Sequence, residues 1–259
     1  EFEPIILTNN NYLEYIKEKN NIQFCWNIPD DLPKLNLPPE TIKYFKEHNI
    51  YGEIFTTDTP LKKDDQGIIL YGNKKLCQEN YCFNDRANDN FYNYLIGKLN
   101  IDYIDEDINT DNISTARDSL VWENEISQEL ENKIDSVIKK IQSEWREKRK
   151  EEKEEEVNKK LDININSWVS SLAPHERESA KKLVNVIVND ESIGVEKTAD
   201  FVQYIQDMYS FSSFKDFATG LINKPVSSLE DILTFIRDWE LIEAKEMAKI
   251  SEGRIEAIK

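Results

Sequence analysis

The spacing of apolar residues changes at Glu125, and this change divides the chain into two kinds of structure. Beyond Glu125, apolar side chains recur at three- and four-residue steps, which places them on one face of a helix. These residues are Ile126, Leu130, Ile134, Val137, Ile138, Ile141 and Trp145. Before Glu125, short runs of β-branched and aromatic residues are separated by turn-forming residues. The sequence therefore predicts an α+β part followed by a helical part.

The α+β part contains patterns for strands and for short helices. Strands are predicted over Ile22–Trp26, Tyr51–Thr57, Gly67–Tyr71 and Leu95–Ile104, and helices over Asn11–Lys17 and Glu40–His48. Four prolines between residues 29 and 39 indicate a loop, because proline lacks the N–H group that regular structure needs.

The helical part begins with one long helix and continues in shorter ones. Residues 146–160 are nearly all charged with both signs mixed, which is typical of a solvated helix and disfavours a nucleic-acid patch. Pro174 is expected to open a later helix, and Ser227 with Glu230 is expected to form a capping box before the last one. These patterns predict two domains, at residues 1–160 and 161–259.

Composition restricts the classes of function. The net charge is −17, which argues against wide phosphate binding because such binding needs clustered Lys and Arg. No apolar run has the length of a membrane span, and the amino terminus lacks a signal pattern. Three cysteines without metal-ligand spacing indicate reduced thiols and a cytoplasmic protein. Because Glu1 replaces an initiator methionine and residue 259 ends a helical pattern, we expect a piece of a longer protein.

The common motifs of metal sites and nucleotide cradles are missing from the sequence. His48 and His175 have no metal-ligand neighbours, and no glycine-rich phosphate loop occurs. Residues 105–111 resemble the start of a calcium loop. However, Thr110 stands where the turn needs glycine, and Ala116 stands where a bidentate glutamate is needed. The sequence predicts no metal site and no catalysis by this chain alone.

Arg117 is the residue that most directly suggests a function. It is the only basic residue between Lys98 and Lys133, and acidic residues surround it on both sides. Two interpretations stay open at this point. Arg117 is either a structural partner of a nearby carboxylate such as Asp118, or an arginine that contacts an anionic ligand.

The order of motifs around Arg117 resembles a known domain. A strand and basic pair at 67–76 lead through Asn93–Leu99 and Ile104-Asp105 into Asn112-Ile113-Ser114-Thr115-Ala116-Arg117-Asp118. This order is similar to the middle domain of the HtpG-type heat-shock chaperones, where an Asn-(Ile/Val)-Ser-Arg-Glu loop carries an arginine that reaches the γ-phosphate of ATP. MORC and MutL proteins place a lysine there. The resemblance covers residues 67–122 and identifies the wider group as the GHKL ATPases. This chain departs from the family loop by inserting Thr115 and Ala116 and by having Asp118 for glutamate.

The resemblance implies a fold, a site and partners. The implied fold is a ribosomal-protein-S5-like β-α transducer domain, followed by a long helix and an all-helical adaptor domain. The implied site places Arg117 at the γ-phosphate, with Ser114, Lys62 and Lys63 as further nucleotide contacts. A solvent-exposed turn is the alternative for the two lysines. ATP and Mg²⁺ would be held by an ATPase domain that precedes residue 1 in cis, and a homodimer is among the assemblies that the family uses.

Two other functions stay open on the sequence. The chain could be a protein–protein interaction module without any link to nucleotide, in which the helical half binds a partner. A metal-dependent nuclease that uses the carboxylates of residues 102–111 is a further alternative, but a cluster on one loop rarely builds a two-metal site. The target of the parent protein, whether DNA, a client protein or a phage component, is not indicated by any motif.

Overall fold

A computed structural model of the chain describes residues 12–84, 89–106, 112–114, 119–190, 193–222 and 224–258, with side chains from residue 14 to residue 245 in these ranges. The chain forms two compact units, Glu1–Arg146 and Glu147–Lys259. The division falls within one long helix, and the domain boundary that the sequence predicts at residue 160 lies near the end of the same helix. The protein is of the mixed α+β class.

The first unit contains five strands, two short helices and the first part of a long helix in its described residues. The elements are α1 (Tyr12–Lys19), β1 (Ile22–Ile28), α2 (Pro39–Glu47), β2 (Tyr51–Thr57), β3 (Gly67–Gly72), β4 (Lys75–Tyr81), β5 (Leu95–Asn100) and α3 (Glu125–Leu161). Single turns of 3₁₀ helix lie at Leu32–Leu35, Lys63–Asp65, Asn90–Asn93 and Asp102–Asp105. The predicted strand at Tyr51–Thr57 is confirmed at both ends.

The five strands form one mixed sheet in the order β1-β2-β5-β3-β4. Strand β3 pairs with β5 in parallel, with Ile68 opposite Gly97. The other three pairs, β1 with β2, β2 with β5 and β3 with β4, are antiparallel. Because β3 and β5 lie in the middle of the sheet, every residue of β3 is buried, as expected for a strand covered on both faces.

Each face of the sheet has its own apolar core. One core joins the sheet to α2 and α3 and includes Phe45, Leu70 and Leu99 together with the apolar face of α3 down to Trp145. The opposite face is covered by α1, where Ile16 packs against Phe55, Ile96 and Leu61. The apolar face predicted for the helix after Glu125 is therefore the face that packs on the sheet.

One expectation for the strands was wrong, and one strand was missed. The predicted strand Leu95–Ile104 ends at Asn100, because Ile101 leaves extended geometry and Ile104 donates a backbone hydrogen bond to Ile101 in a 3₁₀ turn. Strand β4 was not predicted, and it follows a two-residue turn in which Asn73 and Lys74 have φ values of 49° and 64°. These left-handed values suit a tight hairpin that matches the twist of the sheet.

The second unit is helical throughout its described residues. Its elements are the second part of α3, α4 (Ile165–Ser171), α5 (Pro174–Asn189), α6 (Val195–Met208), α7 (Ser212–Thr219) and α8 (Leu229–Ile258). Their apolar faces form one core that contains Leu183, Val202, Phe214 and Ile232. The prediction that Pro174 opens a helix is confirmed.

The start of α8 carries a capping box one residue later than the sequence predicted. The Ser228 hydroxyl accepts a hydrogen bond from the backbone N–H of Asp231 at 3.1 Å. In return, the Asp231 carboxylate accepts from the backbone N–H of Ser228 at 3.0 Å and of Ser227 at 2.9 Å. The expected pair, Ser227 and Glu230, was therefore wrong by one position, because Ser228 and Asp231 satisfy the same spacing.

Candidate functional site

Arg117 lies outside the described residues, but the backbone on both sides of it is described. We call residues 112–121 the arginine segment, with residues 112–114 as its first arm and residues 119–121 as its second. Ile113 and Leu120 form an antiparallel bridge. Ser114 N–H donates to the Ser119 carbonyl at 2.9 Å, and the Ser119 N–H lies 3.4 Å from the Ser114 hydroxyl. The two arms therefore pair directly before and after the four residues that contain Arg117.

The first arm is held through the buried amide of Asn112. Its Nδ2 donates to the carbonyl of Ile104 at 3.1 Å, and its Oδ1 accepts from Nδ2 of Asn124 at 3.1 Å. The backbone carbonyl of Asn112 also accepts from the N–H of Val121 in the second arm at 2.9 Å. Asn124 immediately precedes α3, so one side chain joins the arginine segment to the start of the long helix.

The second arm is held by a residue of strand β4. The side-chain oxygen of Gln78 accepts from the backbone N–H of Leu120 at 3.1 Å and from the indole N–H of Trp122 at 3.3 Å. Gln78 is only 9% exposed. A buried amide oxygen with two donors is well satisfied, and its removal leaves both donors without a partner.

Residues beyond the second arm connect β4 to α3. Trp122 stacks on Tyr81 of β4, with ring centroids 4.6 Å apart. The Tyr81 hydroxyl donates to Oε1 of Glu131 on α3 at 2.9 Å. The arginine segment is therefore fixed to β4 and to α3 by side chains whose contacts are described.

The turn before the arginine segment is held at both ends. Oδ1 of Asp102 accepts from the backbone N–H of Asn73 at 2.7 Å, and Oδ2 of Asp105 accepts from the Asn73 side chain at 3.4 Å. Tyr103 shares a hydrogen bond of 2.8 Å between hydroxyl groups with Tyr44 of α2, and burial raises the pKa of Tyr103. Two of the three described carboxylates of the alternative nuclease site, Asp102 and Asp105, thus bind the hairpin turn of β3 and β4, and the third, Glu106, is exposed.

Lys62 and Lys63 lie in the connection from β2 to β3, and both side chains are exposed. This connection is tied to the 3₁₀ turn that precedes β5 by a 2.7 Å hydrogen bond from Leu61 N–H to the Asn93 carbonyl. It is tied to β4 where Asn80 donates to the carbonyl of Asp64. The connection ends at Gly67, the first residue of β3. Gln78, which holds the second arm, lies on β4 and pairs with Leu70, further along β3.

Sequence reasoning named Ser114 in the arginine segment but missed the residues that support it. Gln78 and Asn124 were given no role, although they hold the second and first arms. No sequence pattern indicates Gln78, because its partners are 42 and 44 residues away along the chain. Asn112 belongs to the motif that resembles the family loop, and the structure adds that its side chain holds the first arm.

The described ranges contain no group of three or more His, Cys, Asp or Glu side chains that could hold a metal ion. Nor does any helix in this part of the chain have the length and apolar character to cross a membrane. Comparisons with protein-family models, with curated proteins and with solved structures find no match to this chain. The contacts of the arginine segment therefore carry the functional argument.

Proposed function

We propose that this chain is the transducer and adaptor region of a GHKL-type ATPase. In this proposal, Arg117 contacts the γ-phosphate of an ATP molecule that a preceding domain of the same protein holds. The first unit then corresponds to an S5-like transducer domain and the second to the helical adaptor. The chain alone does not hydrolyse ATP, and the intact protein is a cytoplasmic ATPase.

The connection of the arginine segment to α3 is the observation that carries the proposal. The bridge between Ile113 and Leu120 closes the base of the segment, and Asn112 binds Asn124 directly before α3. If this segment moves when it binds phosphate, the contact between Asn112 and Asn124 would transmit the movement to the helix that extends from Glu125 to Leu161. Such a link is what a domain needs to convert nucleotide state into a rearrangement.

The chemistry of arginine suits this role. The guanidinium group stays charged at physiological pH and presents a planar set of donors that matches phosphate oxygens. When it lies on a separate domain, it reaches the phosphate only after the two domains dock. It then stabilises the charge that develops during hydrolysis and makes turnover depend on docking.

The other nucleotide contacts follow from the same proposal. Ser114 directly precedes the four residues that contain Arg117, and in this proposal its hydroxyl, which accepts from the Ser119 N–H at 3.4 Å, also contacts the nucleotide. Lys62 and Lys63 are exposed cations that would approach the nucleotide or its lid. ATP and Mg²⁺ bind on the preceding domain, and homodimer formation and a protein or DNA target belong to the intact protein.

The proposal is tested with the intact gene product, whose reading frame should encode a nucleotide-binding domain before residue 1. Arg117→Ala should lower turnover by about 10²–10³-fold, the range for removal of a charge-stabilising donor. ATP affinity should change much less, because most binding contacts lie on the other domain. Arg177→Ala is the matched control, because Arg177 binds the carbonyl of Leu172 in the second unit. Wild-type turnover in a folded Arg117→Ala protein would show that the arginine is a structural counter-charge.

A protein-interaction module is the second candidate, and exposed apolar side chains of the second unit favour it. Phe211 is 55% exposed, Leu241 is 54% exposed and Ile242 is 44% exposed. Large apolar side chains in water are common at sites that bind other proteins. Changing all three residues to Ser tests this candidate. The candidate is favoured if the triple variant no longer binds a cellular partner, while Arg117→Ala changes neither that binding nor turnover.

A further inference from the structure

The exposed face of α6 has an open pocket with two aromatic side chains. Lys197, Asp200, Phe201 and Tyr204 line this pocket, whose volume is about 280 Å³. Their spacing of three and four residues places them on one face of the helix, and the opposite face is buried in the core of the second unit. Tyr204 is 41% exposed. The outward face of α6 therefore presents a large aromatic ring to water.

Tyr204 and Phe211 lie on one surface because both approach the same turn of α8. The Tyr204 hydroxyl donates to Oε1 of Glu240 at 3.2 Å. The ring of Phe211 lies beside that of Trp239, with centroids 6.2 Å apart. Trp239 and Glu240 are consecutive in the sequence, so the two exposed rings lie near neighbouring residues of one helix.

Three carboxylates border these rings. Asp200 lines the pocket, Asp207 follows Tyr204 by three residues on α6, and Glu240 binds the Tyr204 hydroxyl. None of the ion pairs within the described ranges involves these carboxylates. Their negative charge is therefore available to a partner. We call the three rings and the three carboxylates the α6 surface: Phe201, Tyr204, Phe211, Asp200, Asp207 and Glu240.

We propose that the α6 surface binds a basic amphipathic helix of another protein. The pocket and the exposed rings take the apolar side chains that such a helix presents at three- and four-residue steps. Aromatic side chains are common anchors of such interfaces. The carboxylates pair with the Lys and Arg side chains that flank the apolar stripe of the partner. Lys197 is the only basic residue of α6, which also has three acidic residues, so the charge of the helix stays negative.

Charge selects this occupant over the other classes of partner. The chain has a net charge of −17, and two copies that met through the same surface would bring like carboxylates together. Nucleic acid and anionic membranes carry the same sign of charge and are disfavoured for that reason. A wholly apolar partner would cover the carboxylates without pairing them, which is costly. A partner with both apolar and cationic side chains matches the surface.

Binding at the α6 surface requires neither Arg117 nor nucleotide, so it goes beyond the proposed function. In an adaptor region, the α6 surface would be the place where the adaptor holds its target. In an interaction module, it would define the chemistry of the partner. Failure of the arginine tests would leave this proposal standing, and failure of the tests below would leave the proposed function standing.

The first experiment uses the 259-residue chain and three fluorescent peptides of about 18 residues, a length that permits a helix. One peptide has Leu at every third or fourth position with Lys on both sides of this stripe. The second has the same composition in scrambled order, and the third has Glu in place of every Lys. Fluorescence anisotropy is measured at about 0.15 M salt, where long-range attraction is screened. The first peptide should bind about tenfold more tightly than the other two, or better.

The scrambled peptide decides whether the arrangement of the apolar residues matters. If the scrambled and amphipathic peptides bind equally, the binding is a general attraction to an acidic protein, and the proposal is wrong. If the peptide with Glu binds as tightly as the peptide with Lys, the carboxylates do not select the partner, and the proposal is also wrong.

The second experiment removes the exposed rings. Tyr204→Ser combined with Phe211→Ser should weaken binding of the amphipathic peptide by about tenfold or more, because aromatic anchors supply much of the binding energy of an interface. Tyr51→Ser is the control, because it removes a tyrosine of β2 that is 43% exposed and lies in the first unit. Circular dichroism checks folding. Equal affinities of the folded double variant and the wild type would contradict the proposal.

The third experiment removes the charges. Asp200→Asn, Asp207→Asn and Glu240→Gln together should weaken binding of the amphipathic peptide by about tenfold or more. A control variant with the same change in net charge should weaken it by about twofold or less. This control replaces three exposed glutamates of α1 and α2 by Gln: Glu14, Glu18 and Glu40. Equal losses in the two triple variants would show that only net charge matters and would refute the site.

The last experiment tests the competing occupant, a second copy of the chain. Sedimentation should give the same mass for the wild type and for the variant with Tyr204→Ser and Phe211→Ser. A wild-type dimer that becomes a monomer in this variant would mean that a second copy occupies the α6 surface, and the proposal of a basic helix would be wrong. Amide shifts caused by the amphipathic peptide should lie in α6 and around Glu240. Shifts confined to the first unit would also contradict the proposal.

Discussion

The indole of Trp122 lies nearly parallel to the ring of Tyr81, with centroids 4.6 Å apart and an interplanar angle of 16°. Phe83 meets the Tyr81 ring edge-on at 4.9 Å and completes a small aromatic group beside the arginine segment. The Tyr81 hydroxyl binds Glu131, so the group joins β4 to the first turns of α3. Trp122 and Glu131 thus contact Tyr81 although both lie far from it in the sequence.

Removal of the Tyr81 hydroxyl should weaken the first unit. Tyr81→Phe keeps the stacked ring and loses one hydrogen bond to a carboxylate, so we expect a loss of about 1 kcal/mol in the free energy of unfolding. Tyr81→Ala also loses the stacking and the partly buried ring and should lose about 2 kcal/mol or more. Urea unfolding followed by circular dichroism provides the measurement.

A double-mutant cycle tests the pairing itself. Trp122→Ala and Tyr81→Ala, separately and together, should show a coupling of about 0.5–1.5 kcal/mol, the range for a stacked aromatic pair. Additive losses in the double variant would contradict the stacking. Tyr51→Phe serves as the control tyrosine, because its side chain is 43% exposed and distant in the sequence from this group.

The hydrogen-bonded pair of buried Tyr44 and partly buried Tyr103 should make the first unit sensitive to alkali. Burial raises the pKa of Tyr44 from the ordinary 10.0 to about 12, although the hydrogen bond with Tyr103 lowers it in part. The folded protein therefore binds the phenol proton more tightly than the unfolded chain. The stabilisation from this difference is complete below about pH 10 and is lost as the pH rises through about 12.

The measurement compares the wild type with Tyr44→Phe by urea unfolding across that range. The stability of the wild type should decrease more steeply between about pH 10 and 12 than that of Tyr44→Phe, because the variant lacks one ionisable group. Ultraviolet absorbance of tyrosinate should show one fewer late-ionising tyrosine in the variant. Parallel pH profiles for the two proteins would contradict burial of Tyr44 in this pair.

Much of the first unit could be predicted from local patterns. Strand β2 and the start of α3 have the periods that the sequence shows, because alternation and three- and four-residue steps follow directly from the geometry of strands and helices. The end of β5 could not be predicted. Ile101 and Ile104 continue an apolar pattern, but the side chain of Asp102 binds Asn73 and the backbone forms a turn.

Strand β4 and the support of the arginine segment depend on contacts between distant residues. The β4 sequence mixes polar and apolar side chains, and its Gln78 binds Leu120 and Trp122, which lie 42 and 44 residues later in the chain. The position of the α8 cap shows the limit of spacing rules. Ser227 and Ser228 both satisfy the motif, and the structure selects Ser228 because Asp231 is the partner that reaches its backbone.

Loss of the α8 cap gives a prediction for the second unit. Ser228→Ala removes the hydroxyl that accepts from Asp231 N–H, and we expect it to lower the free energy of unfolding of this unit by about 1 kcal/mol. Ser227→Ala is the matched control. Its hydroxyl makes a longer contact of 3.3 Å with Asp231, and its backbone N–H still donates after the change. A larger loss in Ser227→Ala than in Ser228→Ala would place the cap where the sequence predicted it.

The final prediction concerns the chemical identity of the residue at position 117 in the intact protein, under the proposed function. Arg117→Lys keeps the positive charge but loses the planar fork, so turnover should lie between those of the wild type and Arg117→Ala. Recovery of about tenfold over the alanine variant is expected, because one point charge replaces part of a bidentate contact. ATP affinity should be similar in all three proteins, and circular dichroism checks that each is folded. If lysine and alanine reduce turnover equally while both proteins fold and bind ATP, charge alone at this position does not serve catalysis, and a contact that needs the arginine fork would be required.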